Sequence, residues 1–499
     1  MNASESAMQS VTRRPWEPRR PSVPVSLMLV SIVVLTLTGC GPKRMRADFI
    51  GFEKEYAETS NREVLLNLAR LQNHDSTYFF KLGQISSSYR MNASLTGSGN
   101  YVIQGTGAGG NAIGGGSPGL VYENDPAFTF IPVNDDTSAQ LLLKPVPAAT
   151  MYNLYLQGWR IDQLFRLLVD RIEVSTSDSS GSCVVKTFHN TPPGMQSKSG
   201  SADPGYLADA STYATFLRVS AIVYGLQKHD HLLLKGTSTF VPYDAKSAIL
   251  PTADSQAGTG GGGAGGGSST TKSTLPAASD IESAAAKGES WEFNGKQWLL
   301  GQQVDGAEFY LNGDLKSIKA DLLSDPDLEG LERGNSLDQV LGALEQKFSV
   351  ESTPNGNDNP CPPPGQTSSH LVLRSLIGIM AAAAQEQAPF EDLKNNKTLM
   401  LPKANPTDVQ LTFDQAVPPI ERIPALQLKW KFDSKSGPAL VEVEYRGTNY
   451  QIADAKEQDT PANQYWNRDM FRLINQLTAQ VTVDISKFPL PGILRLSTN

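Results

Sequence analysis

The chain has 499 residues, with 43 Lys plus Arg against 51 Asp plus Glu and a formal net charge of −8 at neutral pH. An acidic chain without a dense basic stripe is repelled by phosphate, which argues against nucleic acid as a partner. The length exceeds what one core usually organises, and 43 Gly, 32 Pro and only 19% charged residues point to a loop-rich exported protein rather than a compact cytosolic one.

Arg13, Arg14, Arg19 and Arg20 precede an apolar run from Val23 to Leu37, which closes in Leu37-Thr38-Gly39-Cys40. The run is 15 residues long, short of the roughly 20 that a retained membrane span needs. Gly41 and Pro42 follow at once and would break such a helix at the bilayer edge. A basic segment, an apolar run and two small residues before a cysteine together make a secretory signal, and this one resembles those of bacterial lipoproteins. The resemblance implies cleavage between Gly39 and Cys40, loss of residues 1–39, and acylation of Cys40 on both sulfur and nitrogen. Three acyl chains would hold the protein to the bilayer permanently, with Lys43, Arg44 and Arg46 beside anionic headgroups. Gly41, where inner-membrane lipoproteins carry Asp, implies the periplasmic face of the outer membrane. Thr12-Arg13-Arg14-Pro15-Trp16 is similar in part to a twin-arginine signal, but Glu17 and Pro18 replace its apolar continuation, so export unfolded by the general route is expected. Residues 40–499 keep a net charge of −10, because the leader removes four Arg and two Glu.

Only Cys183 and Cys361 then remain. An oxidising periplasm permits a disulfide between them, and two unpaired thiols are the alternative.

Along the mature chain, Phe49, Phe52, Tyr56, Val64, Leu65, Leu68 and Leu71 recur at helical spacing, which predicts one helix, or two broken near Thr59-Ser60-Asn61, with the apolar face on the body. From Ile85 to Ile103 apolar and polar residues alternate, the mark of a long strand. A glycine-rich tip and a return through Leu120-Val121-Tyr122 and Ala127 to Ile131 complete a β-hairpin. Two placements stay open for it: against the helices of the body, or in a membrane as one copy's share of a barrel, as in curli-type secretion lipoproteins. Met151 to Ile172 reads as one apolar helix, with Arg160, Asp162, Arg166, Asp170 and Arg171 as its solvated face. Asp203-Pro204 starts another.

A Gly/Ser/Ala-rich stretch, residues 251–288, is the expected linker between an N-terminal α+β domain at 40–250 and a C-terminal one at 289–499. Beyond it, Asn294-Gly295 predicts a hairpin turn and Ser336-Leu337-Asp338-Gln339 a helix start. His370 to Ser375, Gln427 to Phe432, Leu440 to Tyr445 and Tyr450 to Ile452 read as strands, and Gln464 to Leu477 as a last helix. The fold class is therefore α+β, with antiparallel strands, amphipathic helices and glycine-rich disordered insertions.

Chemistry is sparse. Gly105-x-Gly107-x-x-Gly110 lacks the helix that a dinucleotide site requires, and Gly115-Gly116-Ser117-Pro118-Gly119 lacks the strand and helix of a nucleophile elbow. His229-Asp230-His231 offers two imidazoles without a third ligand and reads as a polar helix end. No cofactor, no metal and no enzymatic activity are expected; an enzyme would have to gather distant groups such as Asp162, Arg374 and Arg446 into a cleft. Asn61 to Arg70, Gly158 to Asp162, Leu373 to Gly378 and Glu444 to Gly447 resemble segments of uncharacterised exported proteins of Gram-negative bacteria, a resemblance that supplies no activity. The expected role is a structural or protein-binding lipoprotein of the cell envelope, partnered by the bilayer and by envelope proteins or further copies of itself. The alternative is an oligomeric outer-membrane pore or secretion component.

Overall fold

The computed structural model describes residues 41–96, 117–132, 142–195, 204–242, 276, 278–286, 289–293, 298–333, 336–346, 348–351, 361–395, 399–400, 410–429, 436–455 and 460–483. The signal run, Gly39 and Cys40 lie outside them, as do Gly105, Gly107 and Gly110. The protein is α+β, in two compact units that divide between Asn61 and Arg62.

The described part of the first unit is the leading stretch of helix α1 (Gly41–Gln72). No break occurs at Thr59-Ser60-Asn61. The apolar stripe is not buried along its whole length, since Phe49 and Tyr56 are 66% and 49% exposed. In the second unit, Val64, Leu65 and Leu68 of the same helix are buried.

Next comes the hairpin of β1 (Phe80–Thr96) and β2 (Ser117–Pro132). It is antiparallel, in register from Phe80 opposite Pro132 to Thr96 opposite Ser117, with one irregularity between Leu82 and Gln84. The two strands form a sheet of their own and pair with no other described strand. Ser117-Pro118-Gly119 opens β2 instead of forming a strand-to-helix elbow.

Helix α2 (Ala148–Leu156) is followed by Gly158 at φ +86°, a left-handed residue that stops it. The expected single helix from Met151 to Ile172 is therefore two, α2 and α3 (Ile161–Leu168), and the chain then becomes strand β3 (Val169–Ser177). All eight residues of α3 are buried, including Asp162 and Arg166. The solvated face expected there does not exist, because this short helix is enclosed on every side.

The remaining elements are β4 (Cys183–His189), α4 (Pro204–Lys228), β5 (Leu232–Pro242), α5 (Ala278–Ala286), β6 (Glu289–Phe293), β7 (Trp298–Leu311), α6 (Leu315–Ser324), α7 (Ser336–Gln346), β8 (Phe348–Glu351), β9 (Thr367–Leu373), α8 (Leu376–Gln385), α9 (Gln387–Asn395), β10 (Leu399–Met400), β11 (Gln410–Leu411), α10 (Phe413–Ala416), β12 (Ser436–Tyr445), β13 (Thr448–Ala455) and α11 (Trp466–Val483). Seven strands form one sheet in the order β4-β3-β9-β8-β7-β5, with β6 beside β8 on the same edge of β7. Among the described strands only β8 and β9 run parallel.

This sheet corrects the expected domain division. β3, β4 and β5 precede residues 251–288 while β6 to β9 follow them, yet β5 lies along β7 over its whole length, Leu232–Pro242 against Gly301–Leu311. One sheet and one apolar core draw on both sides of that stretch. The core is anchored by Phe165, whose ring meets Phe216 of α4 at 6.4 Å and Phe309 of β7 at 6.0 Å. Such buried aromatics contribute roughly 1.5–3 kcal/mol each.

At the C-terminal end, β12 and β13 pair through Arg446-Gly447, both at positive φ, the backbone of a two-residue type I′ turn. Gln427 to Lys429, expected in a strand, are irregular. Side chains serve much of their backbone: Asn467 Oδ1 accepts from Gln427 N and Gln387 Oε1 accepts from Leu428 N and Lys429 N, while the Leu428 carbonyl accepts from Gln451 N.

Candidate functional site

The strongest convergence of charged side chains is inside the protein. Arg166, from α3, is fully buried. Its Nη1 donates to Glu421 Oε2 at 2.9 Å and to the Ile423 carbonyl at 3.0 Å; Nη2 donates to Glu386 Oε1 at 2.7 Å and to the Tyr213 hydroxyl at 3.3 Å. Tyr213, from α4, donates in turn to Glu386 Oε1 at 2.5 Å. The face of the Phe390 ring closes over the guanidinium at 5.6 Å. One cation thus ties α3, α4, the junction of α8 and α9, and the 3-10 turn Pro419–Glu421.

Burial alone would push the Arg166 pKa down, but Tyr213 and the two carboxylates outweigh it and raise it above the ordinary arginine value. Burial dominates at Glu421, pushing its carboxyl up to about 7 against the pull of Arg166. Tyr213 is held well above its usual value, chiefly by burial.

Two further clasps flank this one. Arg160 donates to both carboxylate oxygens of Asp162, at 3.1 and 2.5 Å, and to Asn463 Oδ1 at 3.2 Å and the Ala462 carbonyl. Its guanidinium lies over the rings of Tyr224 and Trp466. Arg374 bonds the Asn190 carbonyl and approaches Asp170 at 3.6 Å. The Asn190 side-chain amide donates to the carbonyls of Phe165, Arg166 and Val169, satisfying the C-terminal end of α3. In α4, Arg218 is buried and donates to the carbonyls of Gly330, Leu331, Ala416 and Arg333. Burial lowers its pKa to about 10.

These groups are clasps rather than a cleft. A concave depression of about 360 Å³ lies elsewhere, lined by Tyr310, Leu311, Gly313, Asp314, Leu315, Leu344 and Glu345. Its Asp314 carboxylate is engaged in capping α6 through Lys316 N and Ser317 N. Asp162, Arg374 and Arg446 are not gathered together: Asp162 belongs to Arg160, Arg374 to Asp170 and Asn190, and Arg446 to Asp75 at 2.9 Å.

His229 and His231 follow the end of α4, on either side of Asp230 at φ +60°. Each turns to a different carboxylate, His229 Nε2 to Asp325 at 3.0 Å and His231 Nε2 to Asp321 at 2.8 Å. The bond to Asp321 is the main reason the His231 pKa is raised. Among the described residues no group of three or more His, Cys, Asp or Glu side chains could hold a metal ion.

Cys183 and Cys361 are joined in a disulfide, with α-carbons 5.7 Å apart. Cys183 opens β4 opposite Ser177, and Ser177 exchanges backbone hydrogen bonds with Gly365 and Gln366. The bridge therefore straps β4 to the segment before β9 across the end of β3.

No protein-family model, no curated protein and no solved structure matches this chain. Its site has to be read from its own residues. Glu386, Glu421, Asn190 and Arg218 escape a reading of the sequence, since none sits in a motif. Asp162, Gln163 and Arg166 share one face of Ile161-Asp162-Gln163-Leu164-Phe165-Arg166-Leu167-Leu168 at i, i+1 and i+4, a polar stripe that local spacing assigns to solvent and the fold turns inward.

Proposed function

We propose that this chain is a lipid-anchored protein of the bacterial cell envelope, facing the periplasm from the outer membrane, with a structural or protein-binding role. The supporting observation is the Cys183–Cys361 bridge, since disulfides of this structural kind form and persist in oxidising compartments. It agrees with the signal ending in Leu37-Thr38-Gly39-Cys40, which would deliver the chain to such a compartment and leave Cys40 as the acylated first residue. Among the described residues no helix is long and apolar enough to cross a membrane, so in this reading attachment belongs to the acyl chains. The buried arginine clasps serve cohesion, and the role in binding falls to surfaces.

Labelled palmitate fed to the native host, followed by membrane fractionation on a density gradient, tests the proposal. Label should enter the wild type, should co-sediment with outer membrane, and should vanish in Cys40→Ala. Unlabelled wild type recovered in the soluble fraction with residues 1–39 intact overturns it.

A further inference from the structure

The hairpin β1–β2 is a two-stranded sheet whose two outer edges find no partner among the described residues. An open strand edge carries a row of unpaired N–H and C=O groups that another strand can satisfy, and an isolated two-stranded hairpin is marginal in water. The register assigns the sequence to two unlike faces. One face holds the pairs Ile85 with Phe128, Ser87 with Pro126, Tyr89 with Asn124, Met91 with Tyr122, Ala93 with Leu120 and Leu95 with Pro118. The other holds Gln84 with Thr129, Ser86 with Ala127, Ser88 with Asp125, Arg90 with Glu123, Asn92 with Val121 and Ser94 with Gly119. The first is apolar apart from Ser87 and Asn124; the second is mostly polar, with Arg90 opposite Glu123 and Asp125 opposite Ser88, interrupted by Ala127, Val121 and Gly119.

The dimensions match a bilayer. Ile85 to Leu95 rises about 34 Å as a strand, and at a tilt of about 45° that covers about 24 Å, close to the height of about 25 Å of the apolar band on membrane barrels. We infer that β1 and β2 pair edge to edge with the same hairpins of further copies of this chain, β2 of one copy beside β1 of the next, in a closed membrane-spanning ring. The Ile85–Phe128 face meets lipid and the Arg90–Glu123 face lines the interior. Head-to-tail order keeps every neighbouring pair antiparallel and, once closed, leaves no open edge. A second copy is the fitting occupant because one hairpin carries both halves of every seam: the free edge of β2 takes the free edge of an identical β1 antiparallel, over strands of matching length. This inference rests on the lipid-anchored reading above.

Full-length protein extracted from native membranes, run unheated in dodecyl sulfate and reconstituted into planar bilayers, tests it. The wild type should give dodecyl-sulfate-resistant oligomers and ion conductance. Met91→Arg, at mid-height of the apolar face, should weaken assembly roughly 30-fold or more, as for cations placed facing lipid at the bilayer centre. Asn92→Arg, one residue on and on the opposite face, should leave the oligomers intact. Replacing residues 80–132 by a short glycine-serine link, feasible because Phe80 and Pro132 are paired neighbours, should abolish oligomers and conductance while palmitate labelling and the Cys183–Cys361 bridge survive. Palmitate-labelled wild type that is monomeric or non-conducting, or oligomers indifferent to Met91→Arg, overturn the inference and leave the anchor reading standing. Loss of label and membrane attachment overturns the anchor reading itself.

Discussion

Arg166 and Glu421 are 255 residues apart in the chain and 2.9 Å apart in the fold, and neither side chain has any exposure to solvent. Between them they join the short buried helix α3 to the 3-10 turn Pro419–Glu421, with Glu386 completing the cation's surroundings.

Breaking this group at one point should cost more than removing it entirely. Arg166→Met leaves Glu386 and Glu421 buried without their cation, and a loss of about 3–5 kcal/mol is expected. Arg166→Met combined with Glu386→Leu and Glu421→Leu should lose less than the single change. Urea unfolding followed by circular dichroism measures both; a single variant as stable as wild type would show that the cluster carries no weight.

The same cluster should make stability depend on pH. Burial pushes the Glu421 carboxyl up to about 7, from an ordinary value of 4.5. The folded state therefore keeps a proton that the unfolded chain has already released between those values. Glu421's contribution is complete below about pH 4.5 and is lost as pH rises through 7, a swing on the order of 3 kcal/mol shared by the coupled group. Glu421→Gln should flatten that part of the stability profile. A wild-type profile already flat from pH 4.5 to 7.5 speaks against it.

The disulfide closes a segment of 178 residues, and the entropy of closing so long a loop corresponds to about 5 kcal/mol at most, with 2–5 kcal/mol usual on removal. Cys183→Ser together with Cys361→Ser should lower the urea midpoint by a matching amount, and reductant should shift the wild type alone on a non-reducing gel. Equal midpoints with and without reductant would mean that the sheet already holds the β4 edge.

At the β12–β13 turn, Gly447 has φ +73° and a built β-carbon would meet nothing within 4 Å, so any cost of a side chain there is backbone strain and not a clash. Gly447→Val should destabilise by about 1–2 kcal/mol. A differential scanning experiment that finds no drop in melting temperature would refute the turn assignment.

Features whose cause lies within a few residues were legible from the amino acids alone. Alternation from Ile85 onward is a two-residue property, and it foretold β1. Gly158 sits in the same category, although its role in ending α2 was overridden by the apolar periodicity running past it from Met151 to Ile172.

Other features depend on groups that meet only after folding. Whether Asp162 and Arg166 face water or an enclosed cluster is decided by Asn463, Glu386 and Glu421, hundreds of residues away, and no local pattern reports a distant carboxylate. The seven-stranded sheet is of the same kind: glycine-rich composition between residues 251 and 288 looks like a boundary, but pairing of β5 with β7 is set by long-range burial, which composition does not encode. Short-range stereochemistry wrote the elements into the chain; the desolvation of charge and the choice of strand neighbours were settled where separate segments came together, because each costs free energy unless a partner from elsewhere supplies the missing bond.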